Sequence, residues 1–128
     1  MIYITQDKKG RDVVNITRSD YGALTIPLKN KSTGQAYTMG ETEYLTFTVR
    51  EFPTEDSPIL LQSTSEPGSN VIEITHAQSS AIDVGEYSAD AQLTTRDDKT
   101  NTVWPVLEDK DRTSTDNRKN FCITTEVT

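Results

Sequence analysis

Apolar and polar residues alternate in short stretches along the chain, and turn signals separate one stretch from the next. The clearest stretch is Tyr44–Arg50, in which Leu45, Phe47 and Val49 occupy every second position. A period of two places these side chains on one face of a strand, so we expect a central strand with one buried face. No stretch repeats its apolar residues with the period of a helix. The pattern therefore predicts an all-β fold.

Other stretches of this kind predict further strands between turn residues, at residues 13–17, 21–28, 59–62, 71–75, 87–95, 102–107 and 121–127. We expect the first strand to begin at residue 13, after a turn at Lys9-Gly10. Pro58 and Pro105 place their strands at sheet edges, since proline cannot donate a ladder hydrogen bond. Residues 76–81 are expected to form one helical turn that crosses between two sheets.

The inward-facing side of these strands is predicted from the same alternation. It comprises Leu24, Ile26, Leu28, Leu45, Phe47, Val49, Ile72, Ile74, Tyr87, Ala89, Ala91, Leu93, Phe121, Ile123 and Val127. A chain of 128 residues with 33% apolar residues can bury one modest core. We therefore expect one domain, residues 1–128, folded as an antiparallel β-sandwich of about seven to nine strands.

Charge and cysteine content narrow the classes of partner. The net charge is −7 and the isoelectric point is about 4.6, so phosphate backbones and anionic lipid surfaces would repel the chain. Neither nucleic acid nor a membrane is an expected partner.

Cys122 is the only cysteine, so the chain cannot form an internal disulfide, which fits assembly in a reducing cytosol. The start of the chain lacks the apolar stretch of a signal peptide.

The residues that carry most enzyme chemistry are scarce. His76 is the only histidine, so one chain cannot build a multi-histidine metal site, and a lone histidine at a strand end is more often a surface or capping residue. Cys122 has no Cys-His-Asn arrangement in view and is expected at a partly covered sheet position. We predict no catalytic residue, no cofactor and no enzymatic activity.

The charged loop 108–120 contains Glu108, Asp109, Asp111 and Asp116, whose oxygens are of the kind that binds calcium. Lys110 and Arg112 lie among these carboxylates, and the loop lacks the glycine at which a calcium loop turns. A solvated loop is the favoured interpretation, and no metal site is predicted.

Trp104 is the candidate anchor of a contact surface. On an edge strand beside Pro105 it would either cap the open end of the core, or lie exposed at a protein interface, or stack against a sugar ring. Tyr44 and Arg50 lie on the face opposite Leu45 and could extend such a surface. The alternative is that this outer face is only solvated.

The most specific local motif is Asp83-Val84-Gly85-Glu86-Tyr87. It resembles the Asp-x-Gly-x-Tyr corner of immunoglobulin-like sandwiches, in which the glycine permits a tight bend and the tyrosine hydroxyl bonds upstream backbone. The chain departs from antibody-type domains at Ala89, where the second cysteine would stand. Tyr44–Arg50 also has no tryptophan.

A wider resemblance covers most of the chain. It rests on the order of a strand at residues 24–28, the Val-Arg end of Tyr44–Arg50, the Gly85-Glu86-Tyr87 strand and the closing segment Phe-Cys-Ile-Thr-Thr-Glu-Val-Thr at residues 121–128. In this order the chain resembles small immunoglobulin-like proteins of tailed bacteriophages and prophages, similar to the N-terminal domain of the baseplate upper protein. The longer loop 108–120 departs from that compact form.

The resemblance implies a non-enzymatic structural or adaptor subunit of a phage tail or baseplate. Such a subunit is made in the bacterial cytoplasm and assembled into virions, and its partners are other phage structural subunits or itself. The alternative function is a module that binds carbohydrate or another cell-surface glycan, for which Trp104 and the tyrosines are the motivation.

Overall fold

A computed structural model of the chain describes residues 2–30, 33–54, 56–105 and 119–125. The elements in these ranges are β1 (Ile2–Gln6), β2 (Asp12–Thr17), β3 (Gly22–Thr25), β4 (Tyr44–Arg50), β5 (Ile59–Thr64), β6 (Val71–Ile74), α1 (His76–Ser80), β7 (Gly85–Thr94), β8 (Thr100–Trp104) and β9 (Phe121–Thr124). Strands make up 49% of the described residues and helix 5%, so the predicted all-β class is confirmed.

The strands form a large sheet in the order β1-β2-β9-β7-β4-β5, with β8 also paired to β7, and a small sheet of β3 and β6. Buried residues of both sheets pack in one core, among them Leu24 of β3, Ile72 of β6 and Phe47 of β4. The predicted β-sandwich is confirmed in this arrangement.

One pairing differs from the antiparallel sandwich expected from the sequence. β2 and β9 run parallel, with Val14 opposite Phe121 and Thr17 opposite Thr124. These two strands lie near opposite ends of the chain, so no hairpin turn forces them to run in opposite directions. The large sheet is therefore mixed.

The expectation that the first strand begins at residue 13 was wrong. β1 pairs with β2 in an antiparallel hairpin, with Ile2 opposite Ile16 and Gln6 opposite Asp12. The charges of the N-terminal stretch lie in the turn, where the Asp7 carboxylate accepts hydrogen bonds from the Lys9 and Arg11 amides at 2.9 Å. The five residues before Asp7 carry no charge and are free to form a strand.

Aromatic residues from three strands of the large sheet meet in the core. The ring centroid of Phe47 lies 5.9 Å from that of Phe121 and 6.0 Å from that of Trp104. The predicted inward positions of β3, β4, β6 and β9 are buried among them, as are Ala89, Ala91 and Leu93 of β7. Tyr87 packs against this cluster from its margin, and Val127 lies outside the described residues.

In the described part of the chain, the two sheets approach each other closely at both sides. At one side, the Ser63 hydroxyl of β5 donates to the Glu73 carbonyl of β6 at 2.7 Å. At the other, β1 lies so close to β3 that a Cβ added to Gly22 would stand 2.8 Å from the Cβ of Ile2. The predicted crossover is confirmed as α1, whose N-terminus is closed by a capping box between Thr75 and Gln78.

Candidate functional site

The predicted corner residues lie together at the start of β7. The Tyr87 hydroxyl donates to the Asp83 carbonyl at 2.6 Å, which is the bond to upstream backbone that the immunoglobulin resemblance implies. Burial raises the pKa of the Tyr87 hydroxyl, and the nearby Asp83 and Glu51 carboxylates raise it further. The corner thus fixes how the chain enters the central strand β7.

The role expected of Gly85 differs from what the structure shows. Gly85 does not adopt a positive φ, and an added Cβ would lie 3.5 Å from the Tyr87 hydroxyl, an ordinary van der Waals contact. The bend at this corner therefore does not depend on the conformational freedom of glycine. The hydrogen bond from the Tyr87 hydroxyl to the Asp83 carbonyl spans this corner.

Asn120 is a structural residue that the sequence analysis missed. Its buried side chain accepts from the Ala89 amide at 2.7 Å and donates to the Ala89 carbonyl at 2.9 Å. Its own amide donates to the Tyr87 carbonyl, and its carbonyl accepts from the Val14 amide. Asn120 therefore joins β2, β7 and β9 where β7 leaves β9. Nothing in its sequence surroundings distinguishes it from other polar loop residues.

The structure does not place Trp104 on an exposed surface of the chain. Its side chain is only 4% exposed and packs on Phe47, on the inner face of the sheet. Trp104 stands opposite Ala91 in the β7–β8 pair, and this small residue leaves room for the indole. Of the roles considered from the sequence, closing the core is the one that fits.

Tyr44 and Arg50 are half-buried on the outer face of β4, at its two ends. They are six residue steps apart along the strand, a distance of about 20 Å at 3.3–3.4 Å per residue. The Arg50 guanidinium donates to the Ser57 carbonyl at 2.5 Å, which ties it to the loop between β4 and β5. The structure does not bring Tyr44, Arg50 and Trp104 into one surface.

Asp90 is the half-buried carboxylate on the same outer face. It stands opposite Thr48 at the point where β7 exchanges its neighbour β9 for β8. Burial raises the pKa of the Asp90 carboxyl, and attraction to Arg50 partly opposes that rise.

The clearest uncovered feature of the described sheet is β1, its terminal strand. Tyr3 is 45% exposed and Ile4 is 48% exposed, on opposite faces of the strand, and β2 is its one strand partner in the described ranges. Residues of β1 also carry no charge. An exposed, uncharged edge strand is a template for pairing with another chain.

Alternation of the ladder shows which β1 backbone groups are uncovered. The Asp7 amide donates to the Arg11 carbonyl, so Asp7 and Arg11 form a hydrogen-bonded pair. Such pairs recur at every second residue of an antiparallel ladder, so Thr5 and Tyr3 also direct their backbone groups to β2. The Val14 amide donates away from β1, to the Asn120 carbonyl, which agrees with this alternation. Ile2, Ile4 and Gln6 therefore direct their amides and carbonyls to the open side.

The opposite end of the large sheet is better covered. In addition to the Ser63 contact, the Gln78 side-chain amide of α1 donates to the Gln62 carbonyl of β5 at 3.3 Å. Exposed apolar side chains also occur here, at Phe52, Ile59 and Leu60. The Lys119 ammonium lies 4.5 Å from the centre of the Phe52 ring and donates to the Glu51 carbonyl.

Residues with metal-binding or nucleophilic side chains are dispersed. Among the described residues, no three His, Cys, Asp or Glu side chains gather in a metal-binding group. His76 is exposed, with Nδ1 2.8 Å from the Ser19 carbonyl oxygen. Burial raises the pKa of the Cys122 thiol, as does the Glu86 carboxylate, and this favours the thiol over the reactive thiolate. The candidate calcium loop lies largely outside the described residues.

The described part of the chain contains no helix with the length and apolar character needed to cross a membrane. Comparisons with protein-family models, with curated proteins and with solved structures found no match for the chain.

Proposed function

We propose that the chain is a non-enzymatic structural or adaptor subunit of a phage or prophage tail assembly, and that it acts through protein contacts. The observation that carries this proposal is the uncovered edge strand β1, whose Tyr3 and Ile4 side chains are exposed. A neighbouring subunit would add a strand there and gain backbone hydrogen bonds without a change in the core. The tail assignment itself rests on the sequence resemblance.

Contacts with the rest of the sandwich hold the edge strand β1 in place. The hairpin between β1 and β2 is held by the Asp7–Arg11 ion pair at 2.9 Å, and β2 is held in turn by β9. Ile2 anchors the beginning of β1 against Gly22 of the small sheet. An edge fixed at both ends loses little conformational entropy when a partner pairs with it.

The alternative glycan-binding function loses its main support. It was motivated by an exposed tryptophan, and Trp104 is buried beneath the sheet. The exposed tyrosines Tyr3, Tyr21 and Tyr37 belong to separate regions of the fold and do not form a row on one strand.

Incorporation into particles tests the proposal. A tagged chain is expressed in the bacterium or phage that carries the gene, and tail particles are purified by gradient sedimentation and analysed by mass spectrometry. We expect the chain in the particles and expect Ile4→Lys to reduce its incorporation. Ile59→Lys, at an equally exposed isoleucine on the opposite edge strand, is the matched control and should be incorporated normally. Absence of the unmodified chain from the particles would overturn the proposal.

A further inference from the structure

From the open edge we infer that the partner of β1 is β1 of a second copy of this chain, paired antiparallel about a two-fold axis through Ile4. The inference deepens the proposed function by identifying the neighbouring subunit as a second copy. It rests on the proposed function only in that both assume that the β1 edge pairs with another strand. The inference is based on how well β1 fits an antiparallel copy of itself, in its backbone hydrogen bonds, its side chains and its charge.

The backbone of β1 is complementary to itself about Ile4. Ile2, Ile4 and Gln6 direct their amides and carbonyls to the open side, as the β1–β2 ladder requires. With Ile4 opposite Ile4, Ile2 of each copy stands opposite Gln6 of the other. These pairs would exchange about six backbone hydrogen bonds, two for each hydrogen-bonded pair.

The side chains are also compatible in this register. Tyr3 of one copy stands opposite Thr5 of the other, and aromatic residues pair favourably with β-branched residues across antiparallel strands. The two Ile4 side chains meet on the other face. Both are 48% exposed in the single chain, so pairing removes apolar surface from water.

Charge favours this partner over a basic one. The chain has a net charge of −7, which makes most faces of two copies repel each other. The five residues of β1 carry no charge, so no carboxylate opposes another along the paired strands. A basic partner attracted by the acidic chain would find no carboxylate on this strand. Two-fold pairing also uses the same edge of both copies, so it ends at a dimer.

The contact involves only five residues of each chain, well below the area of a standard stable interface. We therefore expect a dimer whose population depends on protein concentration in dilute solution. Within an assembly, neighbouring contacts would raise the effective concentration and complete the pairing.

Molecular mass in solution tests the inference. Sedimentation equilibrium of the purified full chain, from micromolar to near-millimolar concentration, should show a shift from monomer to dimer. Ile4→Lys should remain monomeric at every concentration, because it places two ammonium groups opposite each other. Ile59→Lys, the control at the other end of the same sheet, should dimerise like the unmodified chain.

Disulfide trapping tests the register. In a Cys122→Ser background, Ile4→Cys would bring two thiols together in a hydrogen-bonded pair, whose Cα atoms are about 5.5 Å apart and within disulfide range. We expect covalent dimers on mild oxidation of Ile4→Cys and none for Ile59→Cys. A chain that stays monomeric throughout, or equal association of Ile4→Lys and Ile59→Lys, would overturn the inference.

These results separate the inference from the proposed function. A monomeric chain that is nevertheless found in tail particles would overturn self-pairing and leave the assembly role standing. A dimeric chain that is absent from the particles would overturn the assembly role and leave self-pairing standing.

Discussion

Asn120 supplies, with one side chain, the two hydrogen bonds that a neighbouring strand would otherwise supply to Ala89. This matters because β7 changes partner from β9 to β8 at this level, so its backbone there would otherwise be unpaired. Tyr87 has a similar role at the start of the strand, where its hydroxyl bonds the Asp83 carbonyl. Both residues satisfy backbone groups at places where the regular ladder ends.

Replacement of Asn120 by alanine should lower the free energy of unfolding by about 2–4 kcal/mol, because it leaves a buried amide and a buried carbonyl without partners. Urea unfolding followed by circular dichroism measures the change. Asn101→Ala, at an exposed position on β8, is the matched control and should change stability by less than about 0.5 kcal/mol. Equal effects of the two substitutions would show that the Asn120 side chain does not support the sheet.

The Asp90 carboxyl should make stability depend on pH. Its raised pKa means that the folded chain holds this proton more tightly than the unfolded chain, so the stabilising contribution is complete below the unfolded value of about 3.9. The contribution is lost as pH rises through the folded pKa. Asp90→Asn should therefore be more stable than the unmodified chain at neutral pH, and this advantage should disappear at acid pH. Unfolding measured over a pH series would contradict this if the advantage stayed constant.

At the scale of elements, the close approach of β1 to β3 has a single cause in the sequence. Gly22 is buried beneath Ile2, and any larger residue would push the two strands apart. This glycine serves through its lack of a Cβ, because the position does not have a positive φ. It is thus the residue that lets the hairpin of β1 and β2 close one side of the sandwich.

Gly22→Ala should destabilise the fold by about 1–3 kcal/mol through overpacking against Ile2. The same substitution should cost less in an Ile2→Gly background, which removes the two nearest side-chain atoms that the new methyl group meets and leaves only Cδ1 of Ile16 at 3.3 Å. A double-mutant cycle measures this coupling. Gly85→Ala is the matched control within a strand, since its new Cβ would make ordinary contacts. Additive effects at Gly22 and Ile2 would contradict the close approach.

Strands with strict alternation were predictable, and those whose position depends on partners were not. Tyr44–Arg50 was located from Leu45, Phe47 and Val49 alone, because a period of two fixes its buried face. β1 was missed because its alternation covers few residues next to a charged turn. The parallel pairing of β2 with β9 joins distant segments, for which local sequence carries no signal.

The candidate site was harder to predict than the fold. Tryptophan is a residue type that often anchors protein interfaces. Only the position of Ala91 opposite Trp104 shows that the indole fits within the core. Tyr44 and Arg50 were placed correctly on the outer face, but sequence could not show how far apart they lie. The β1 edge follows from sheet order, which alternation within one strand does not determine.

At the scale of the whole molecule, both sheets share one cluster of buried residues, which includes Leu24 and Ile72 of the small sheet and Phe47 of the large sheet. We therefore predict a single cooperative unfolding transition. Trp104 is the only tryptophan and lies in this cluster, so its fluorescence reports the core, while circular dichroism reports the strands. The two urea transitions should coincide. Separate midpoints would contradict a shared core.

Both proposed roles of the chain depend on β1 being an open edge that another strand can pair with. Amide hydrogen exchange resolved by residue with NMR, in dilute protein and again at the highest soluble concentration, tests this most directly. In dilute protein the Tyr3 and Thr5 amides should be protected by β2, while the Ile4 and Gln6 amides exchange rapidly. On concentration, Ile4 and Gln6 should gain protection and the amides of β5 should not change. Rapid exchange of Ile4 and Gln6 at both concentrations would contradict the pairing of this edge between two copies of the chain.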